Sequence, residues 1–405
     1  MLLEQEIHDI AEAQKIPAVR QEAVLERRAQ ANLPGLSSHA LIITGIRRCG
    51  KSTLLKQIMD QSKEGPFYLN FEDPRLYPFE MKDFARLDKV ISAMGAKELF
   101  FDEIQIVEGW ELYIRQKLDE GHKVVLTGSN ATLLSSELGT RLTGRHITEE
   151  LFPFSFREYC EFKEQEPNSF ESVLNYLSTG GVPEYVKSGY VGILNHLFDD
   201  ILTRDIAVRY GIRDVKTLQN LALYLISNVG KSVTGNRLRK TFEVGATSTV
   251  MEHLSYLESS YLFFFVPKFS YSLKKQSVNP RKVYSIDTGL VTTTSLSFSG
   301  DLGRKFENLV YLYLRQNFDQ VFYFSEKYEC DFVAQDRKGK IKEVVQATFE
   351  LNRDNLDREL KGIEEALAFF NLRKGTIVTL DQEETIKNGS FEIQVMPAYR
   401  YFSDW

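Results

Sequence analysis

Short apolar runs alternate with amphipathic segments through residues 36–152. Runs rich in β-branched, aliphatic and aromatic residues predict buried strands at LIIT, FYLNF, LFF and VVLT. The segment STLLKQIMD, which follows the first run, instead places Leu54, Leu55 and Ile58 at helical spacing. Strands that alternate with helices in this way are typical of a parallel sheet covered by helices, so we expect an α/β domain here.

The pattern changes after residue 152. Helical stretches broken at GGVP come first, and three further helices then precede two strand-like runs, YLFFFVPKF and RKVYSID. A final region has the order helix, three strands, helix, strand. We predict an N-terminal helical segment (1–35), an α/β core (36–152), a helical segment (153–215), a middle domain of helices and strands (216–295) and a C-terminal α/β domain (296–405).

Composition and charge narrow the class of protein. A chain of 405 residues is too long to fold around one hydrophobic core, so we expect several domains. Its net charge of −6 argues against a uniformly basic nucleic-acid binder but is compatible with a local basic face. The apolar run YLFFFV is far short of the roughly 20 residues that cross a bilayer. Cys49, Cys160 and Cys330 form no CxxC pair. We therefore expect a cytoplasmic protein with no membrane partner.

The stretch GIRRCGKST fits the phosphate-binding pattern G-x-x-x-x-G-K-[ST]. Two glycines let the backbone curl so that successive N–H groups face phosphate oxygens, and the following helix adds its dipole. Lys51 would reach the β- and γ-phosphates, and the Ser52 hydroxyl would bind Mg²⁺. The predicted nucleotide-binding residues of this stretch are Gly45, Arg48, Cys49, Gly50, Lys51, Ser52 and Thr53. The alternative interpretation is a surface turn whose sequence matches the pattern by chance.

A pair of acids follows the strand LFF. Asp102 would hold Mg²⁺ through its water shell, and Glu103 would orient and deprotonate the attacking water. The alternative is an acidic helix cap after a buried strand. Because the pair comes about 50 residues after the phosphate loop, we favour the catalytic interpretation.

Polar residues after the strand VVLT are further candidates. The carboxyl ends of parallel strands converge on the ligand crevice, so Ser129 or Asn130 could sense the γ-phosphate, although either could simply form the next turn. Arg141 and Arg145 are candidates for stabilising charge in the transition state, in the same chain or from a neighbouring subunit. Solvation or a salt bridge is the alternative for both arginines.

The motifs resemble those of a known family. GIRRCGKST, FYLNFEDPRL, LFFDEIQ, VVLTGSN, LTGRH and LFPFSFREY closely resemble the AAA-type ATPases of bacteria and archaea. More narrowly, the order GGVPEYV, LTRDIAVRYGI, VYSIDTGL, KFENLVYLYL and ECDFVAQ resembles a subfamily that carries a C-terminal partner domain of unknown function. The resemblance covers almost the whole chain.

That resemblance implies a P-loop ATPase core over 36–152, a helical lid over 153–215, and ATP with Mg²⁺ as ligands. AAA-type ATPases commonly form rings in which a neighbour's arginine completes the site, so a homo-oligomer is a further expectation. No base-reading motif distinguishes ATP from GTP.

Three helices followed by two strands are the plan of a winged helix. TSTVMEHLSYL would be its recognition helix. Lys274 and Lys275 in the basic loop SYSLKKQSVNP, and Arg281 directly after it, would lie at the wing and meet DNA phosphates. The polar residues on that helix are poor for reading bases: Thr247, Ser248, Thr249, Glu252, His253, Ser255 and Glu258. A protein-interaction module is the alternative for this domain.

The C-terminal order of elements resembles the restriction-endonuclease-like core of the PD-(D/E)xK nucleases. The resemblance implies that Asp331 binds a metal, that Glu307 lies beside it, and that the next strand supplies an acid or glutamine followed by a lysine. Here that strand offers Gln346 followed by Ala347 and Thr348, without the lysine. Loss of the lysine should cost orders of magnitude in rate, so we expect a degenerate domain that binds nucleic acid or a partner.

Three functions are compatible with these features. The first is an ATPase that acts on DNA through its winged-helix and nuclease-like domains. The second is a nucleotide-switched regulator or scaffold that engages a protein. The third is an ATP-dependent nuclease, which requires the degenerate site to work.

Overall fold

The computed structural model describes residues 2–15, 25–27, 38–62, 65–130, 142, 144–295 and 302–405. The chain forms two compact units, Met1–Phe152 and Pro153–Trp405. No helix within the described ranges is long and apolar enough to span a membrane.

A parallel sheet is the centre of the first unit. Its strands are β1 (Ala40–Thr44), β2 (Pro66–Asn70), β3 (Glu98–Asp102), β4 (Lys123–Gly128) and β5 (His146–Glu150), and they lie in the order β2-β3-β4-β1-β5. The helices are α1 (Glu4–Gln14), α2 (Lys51–Asp60), α3 (Phe84–Ala93) and α4 (Trp110–Asp119). The sheet packs on one apolar core that includes Ile42, Phe67, Phe101 and Leu126. Since every neighbouring pair is parallel, the carboxyl ends of the strands share one edge.

The second unit begins with helices. These are α5 (Phe156–Lys163), α6 (Phe170–Thr179), α7 (Pro183–Ser188), α8 (Gly192–Asp200) and the π-helix Ile201–Val208. The next elements are α9 (Val215–Ile226), β6 (Ser232–Val233), α10 (Gly235–Thr241), α11 (Thr247–Ser259), β7 (Phe263–Pro267), α12 (Leu273–Val278), β8 (Arg281–Ser285) and α13 (Thr288–Thr294). Strands β6, β8 and β7 form an antiparallel sheet in that order.

The middle region has three elements beyond the predicted helices and strands, namely β6, α12 and α13. The predicted basic loop between its two strands contains the helix α12, whose N-terminus is capped by Ser272 through a hydrogen bond from the Lys275 N–H (3.4 Å). The hydroxyl cap and the absence of glycine from this stretch favour the helical turn over an open loop. Lys274 and Lys275 therefore lie on a short exposed helix.

A mixed sheet closes the second unit. Its elements are α14 (Leu302–Asn317), β9 (Gln320–Ser325), β10 (Glu329–Gln335), β11 (Ile341–Ala347), α15 (Leu356–Phe369), β12 (Lys374–Thr379), β13 (Glu384–Asn388), β14 (Phe391–Pro397) and α16 (Ala398–Tyr401). The strand order is β13-β14-β12-β11-β10-β9. The series from α14 to β12 has the predicted order of helix, three strands, helix and strand. The hydrophobic pattern does not predict β13.

The motifs GGVP and IDTGL meet at one buried carboxylate. Asp287 accepts hydrogen bonds from the N–H groups of Gly181 (2.6 Å) and Leu290 (3.0 Å). A Cβ on Gly180 would lie 2.3 Å from Asp287 Oδ1, so only glycine fits there. Burial raises the pKa of Asp287 to about 6, although the N–H groups act against this rise. The contacts between these two motifs are structural, so no catalytic role is needed to explain why the residues are there.

Candidate functional site

The loop after β1 has the backbone that a phosphate-binding loop requires. Gly45 has a φ of 149° and Gly50 a φ of 101°, values that L side chains rarely adopt. A Cβ on Gly45 would also lie 2.1 Å from the carbonyl oxygen of Leu151. Arg48 has a positive φ of 62° and is exposed. The loop is therefore tightly constrained at both of its glycines.

Lys51 lies inside this loop. Its Nζ donates to the carbonyl oxygens of Gly45 and Ile46, at 3.1 Å each, and its side chain is 4% exposed. The Nζ is also 3.7 Å from Glu103 Oε1. The ammonium is thus positioned by the curl of the backbone and placed beside the acid that we predict to be catalytic. A buried cation among carbonyl groups at the start of α2 fits an anionic ligand.

The two predicted acids occupy different environments at the end of β3. Asp102 is buried and accepts from the Thr127 hydroxyl and, at 3.0 Å, from Tyr68. Burial and the nearby Asp102 carboxylate both raise the pKa of Tyr68, so its hydroxyl stays a donor. Glu103 has a positive φ of 53°, and its N–H donates to Thr127 Oγ1 at 3.0 Å. Thr127 on β4 therefore fixes both acids beside the loop.

The remaining predicted residues of this site lie at the same edge. Ser52 is partly buried and Thr53 exposed on the first turn of α2, while Ser129 and Asn130 are buried directly after β4. The Thr44 hydroxyl donates to the Asn130 carbonyl oxygen at 3.1 Å, which joins the ends of β1 and β4. Burial raises the pKa of the Cys49 thiol, although Lys51 and Arg27 act in the opposite direction. Cys49 is a packed residue of the loop.

Arg27 is a residue of this site that no sequence motif indicates. Its guanidinium is buried and donates to the carbonyl oxygens of Cys49 (2.7 Å) and Phe152 (2.8 Å). It therefore fastens the loop to the segment that follows β5. An arginine in a charged stretch 22 positions before Cys49 carries no local signal of this role.

The predicted role of Arg145 within the same chain is not supported by its position. Arg145 immediately precedes β5, which runs parallel to β1, and pairs with Asp119 on α4 at 2.8 Å. It therefore lies at the amino edge of the sheet, about 13 Å along the strands from the carboxyl edge that carries Lys51. A role in a neighbouring subunit stays a prediction. Arg141 lies outside the described residues.

A second cluster of charge lies in the C-terminal region, at the residues for which the nuclease-like resemblance implies a metal site. The carboxylates of Glu307 on α14 and Asp331 on β10 come together, but a lysine lies between them. Lys282 on β8 places its Nζ 3.0 Å from Glu307 Oε1, 3.0 Å from Asp331 Oδ1 and 2.9 Å from Glu329 Oε1. No motif in the sequence indicates the roles of Lys282 and Glu329.

Gln346 lies beside this cluster without joining the ion pairs. Its side-chain oxygen accepts from the Asp331 N–H at 3.1 Å, and its amide nitrogen donates to Glu359, which in turn pairs with Arg358. The Ala347 N–H donates to Asp331 Oδ2 at 3.1 Å. Gln346 therefore positions the Asp331 strand and connects it to α15.

Burial and charge act against each other in the cluster. Burial lowers the pKa of Lys282, but the surrounding carboxylates outweigh it and raise the pKa well above its usual range. Burial raises the pKa of Glu307, against the effect of Lys282, and Tyr284 donates to Glu307 Oε1 at 2.6 Å. Within the described ranges, no group of three acidic, histidine or cysteine side chains is arranged to hold a metal ion. The cation in this cluster is the Lys282 ammonium.

Comparison with known proteins gives the family. The chain is 33% identical over 391 residues to the uncharacterized protein MJ1544 of Methanocaldococcus jannaschii, an alignment that covers 89% of this chain and 87% of that protein. The chain belongs to the same family. An uncharacterized protein of Haemophilus influenzae is 31% identical over 331 residues, which cover 76% of this chain and 82% of that protein.

Two family models match successive parts of the chain. Residues 37–160 match a model described as an AAA domain, and residues 170–301 match one described as a domain of unknown function. An AAA-type P-loop domain is therefore confirmed around Lys51, Asp102 and Glu103. The second match covers most of the predicted lid and middle domain, whereas we placed the partner domain at 296–405.

Two solved structures show weak likeness. The replication initiator DnaA, bound to AMPPCP and single-stranded DNA, has a TM-score of 0.29 and 16% identity, over 57% of this chain and 85% of that one. Cdc6p from Pyrobaculum aerophilum has a TM-score of 0.24 and 12% identity, over 63% of this chain and 85% of that one. TM-scores this low support no conclusion about the loop after β1 or the cluster around Lys282.

Proposed function

We propose that the chain binds ATP with Mg²⁺ at the loop after β1, hydrolyses it, and uses the cycle to act on DNA through its middle domain. The observation that carries the proposal is the convergence of Lys51, Asp102 and Glu103 at the carboxyl edge of the parallel sheet. The match to an AAA domain supports the same chemistry.

Each residue has a distinct task in this proposal. Lys51 binds phosphate oxygens, which replace the carbonyl oxygens of Gly45 and Ile46 as acceptors for its Nζ. Ser52 and Asp102 are the residues that would hold Mg²⁺, which neutralises phosphate charge when bound. Glu103 orients and deprotonates the attacking water. Its positive φ and its N–H bond to Thr127 hold it beside Lys51.

The order of elements in the middle domain supports a winged-helix assignment. Helices α9, α10 and α11 precede strands β7 and β8, and β6 joins the same sheet. The exposed face of α11 carries Ser248, Met251, Glu252 and Ser255, without a cation, and His253 is buried. We therefore propose contacts to the DNA backbone without reading of bases.

Exposed cations on neighbouring elements fit contacts with phosphates. Arg237 and Lys240 are exposed on α10, and Lys274 and Lys275 on α12. Arg281, which we also predicted at this surface, is partly buried at the start of β8 and acts to lower the pKa of Glu258, which burial raises. Arg281 therefore has a structural task, and the proposed interface rests on the exposed cations of α10 and α12.

A second candidate function is supported by an apolar surface. Tyr271, Leu273, Val278 and Phe369 are largely exposed at or near α12 and the end of α15, and the Tyr271 and Phe369 rings stack at 6.0 Å between centroids. Exposed apolar residues of this size favour contact with another protein. The alternative function is therefore a nucleotide-switched scaffold that engages a protein partner.

The two functions differ in how DNA affects ATP turnover. If the chain acts on DNA, double- or single-stranded DNA should stimulate turnover, and the stimulation should fade between low and high salt because counterion release drives phosphate binding. The measurement is steady-state ATP turnover by the full chain with and without mixed-sequence DNA at two salt concentrations. Turnover that is indifferent to every nucleic acid would favour the scaffold function.

Replacing both Lys274 and Lys275 by alanine is expected to weaken DNA binding similarly for all sequences. Each lysine that contacts a phosphate contributes about one unit to the slope of log affinity against log salt, so the slope should fall by about two. The measurement is fluorescence anisotropy of labelled duplex DNA at several salt concentrations. The matched control replaces Lys82 and Lys89, which are exposed on the first unit, by alanine. Equal slopes for the two double variants would contradict the proposed interface.

A further inference from the structure

Two exposed aromatic rings lie side by side on the second unit. Tyr271, which precedes α12, is 82% exposed, and Phe369 at the end of α15 is 46% exposed. Their rings lie within 22° of parallel, with centroids 6.0 Å apart. Phe269 packs edge-on against both, with its centroid 5.2 Å from that of Tyr271 and 6.1 Å from that of Phe369. Packing beneath the two rings therefore fixes their orientation, although much of their surface meets solvent.

These rings adjoin a groove of about 600 Å³. Tyr271 and Leu273 line it from the segment that leads into α12, and Gln335 and Gly339 line it from the turn between β10 and β11. We call this surface the aromatic groove. Ligand-binding clefts in proteins have volumes of about 300–1,000 Å³, so the aromatic groove is large enough to admit a nucleobase.

Positive charge lies on both of the segments that line the groove. The exposed lysines there are Lys274 and Lys275 on α12 and Lys338 and Lys340 on the turn. Within the described ranges, none of these four ammonium groups has a carboxylate partner. Asp319, the acid that lines the groove, pairs with Arg337 at 2.7 Å. The uncompensated charge around the groove is therefore positive.

We propose that the aromatic groove binds single-stranded DNA, with bases stacked on Tyr271 and Phe369 and phosphates beside the lysines. Proteins that bind single strands without reading their sequence combine aromatic rings, on which bases stack, with a positively charged groove that follows the backbone. The inference rests on the proposed action on DNA and adds the form of DNA that the chain prefers.

Other occupants fit this surface less well. The bases of a duplex are stacked on one another, so a duplex offers its phosphates to the lysines but no base face to Tyr271. An apolar protein surface would cover the rings and leave the four lysines without counter-charge. Exposed rings beside unpaired ammonium groups instead match a ligand that carries both flat rings and negative charge. A single strand of DNA has both.

Stacking and charge have separate experimental signatures. Tyr271→Leu keeps an apolar side chain but removes the ring, so it should weaken binding of single-stranded DNA about tenfold at every salt concentration. Tyr271→Trp keeps a ring and should bind like the natural chain. Replacing both Lys338 and Lys340 by alanine should instead reduce the slope of log affinity against log salt by about 1.4, since each phosphate contact to a single strand contributes about 0.7.

The test is fluorescence anisotropy of a labelled oligothymidylate and of a labelled duplex of equal length. It uses the full chain with Mg²⁺ and a non-hydrolysable ATP analogue at several salt concentrations. The natural chain is expected to bind the single strand at least about tenfold more tightly than the duplex. Tyr271→Leu should remove most of this preference while the salt slope stays unchanged. The matched control is Tyr77→Leu, since Tyr77 is 93% exposed on the first unit.

Two results would overturn the inference and leave the proposed function intact. One is a duplex that binds as tightly as the single strand, and the other is equal binding of the single strand by Tyr271→Leu and the natural chain. If neither form of DNA binds and ATP turnover ignores both, the proposed action on DNA fails as well. The exposed rings would then be assigned to a protein partner.

Discussion

Replacing Lys51 by alanine is expected to lower ATP turnover by at least about a hundredfold. The ammonium lies inside the loop, 3.1 Å from the carbonyl oxygens of Gly45 and Ile46 and 3.7 Å from Glu103 Oε1. Loss of one preorganised group that stabilises transition-state charge costs about 10²–10³ in rate. The Lys51→Ala variant should also bind ATP more weakly, because it loses the buried ammonium of the loop. Phosphate release and equilibrium binding of a fluorescent ATP analogue measure the two effects.

The matched control for Lys51→Ala is Lys56→Ala. Lys56 lies on the same helix α2, partly buried, with its Nζ 6.0 Å from the Tyr68 ring centroid. It should change turnover by less than about threefold, as expected for a surface cation. If Lys51→Ala binds and hydrolyses ATP like the natural chain, the loop after β1 is not the nucleotide site.

Replacing Glu103 by glutamine is expected to separate binding from hydrolysis. The amide keeps the size of the carboxylate and the backbone bond to Thr127, so the positive φ and the shape of the strand end are preserved. It cannot accept a proton from water, and loss of a general base costs about 10²–10⁴ in rate. ATP turnover should therefore fall about a thousandfold while affinity for ATP changes little. Single-turnover hydrolysis and nucleotide titration check the two parts.

Glu108→Gln serves as the control for this substitution. Glu108 is exposed five residues further along the chain, so the same change of charge should leave turnover unaltered. Hydrolysis by Glu103→Gln at the rate of the natural chain would show that another group activates the water. Asp102 would not be the replacement, because its oxygens accept from Thr127 and Tyr68.

The sequence is sufficient to predict the P-loop domain because its information is local. Gly45, Gly50 and Lys51 lie within seven consecutive positions, and both glycines have the backbone angles that the pattern demands. The acids directly after β3 could also be placed beside the loop, since parallel strands share their carboxyl edge. The catalytic tasks of these residues stay predictions for the kinetic experiments.

Contacts between distant segments could not be predicted. Arg27 reaches the Cys49 and Phe152 carbonyl groups, and Lys282 reaches acids from 25 to 49 positions away. The nuclease-like pattern places its lysine two residues after Gln346, whereas Lys342, the lysine on that strand, pairs with Asp336 at 3.3 Å. Only the packing of β8 against the C-terminal sheet reveals that a preceding strand supplies the cation.

The central claim is that the loop after β1 hydrolyses ATP with Mg²⁺. The most direct test is steady-state ATP turnover by the purified full chain, with Mg²⁺ and with excess EDTA, beside Lys51→Ala. We predict turnover that requires Mg²⁺ and is lost in the variant, with or without added DNA. Turnover that persists in EDTA, or a natural chain no faster than Lys51→Ala under any of these conditions, would contradict the account.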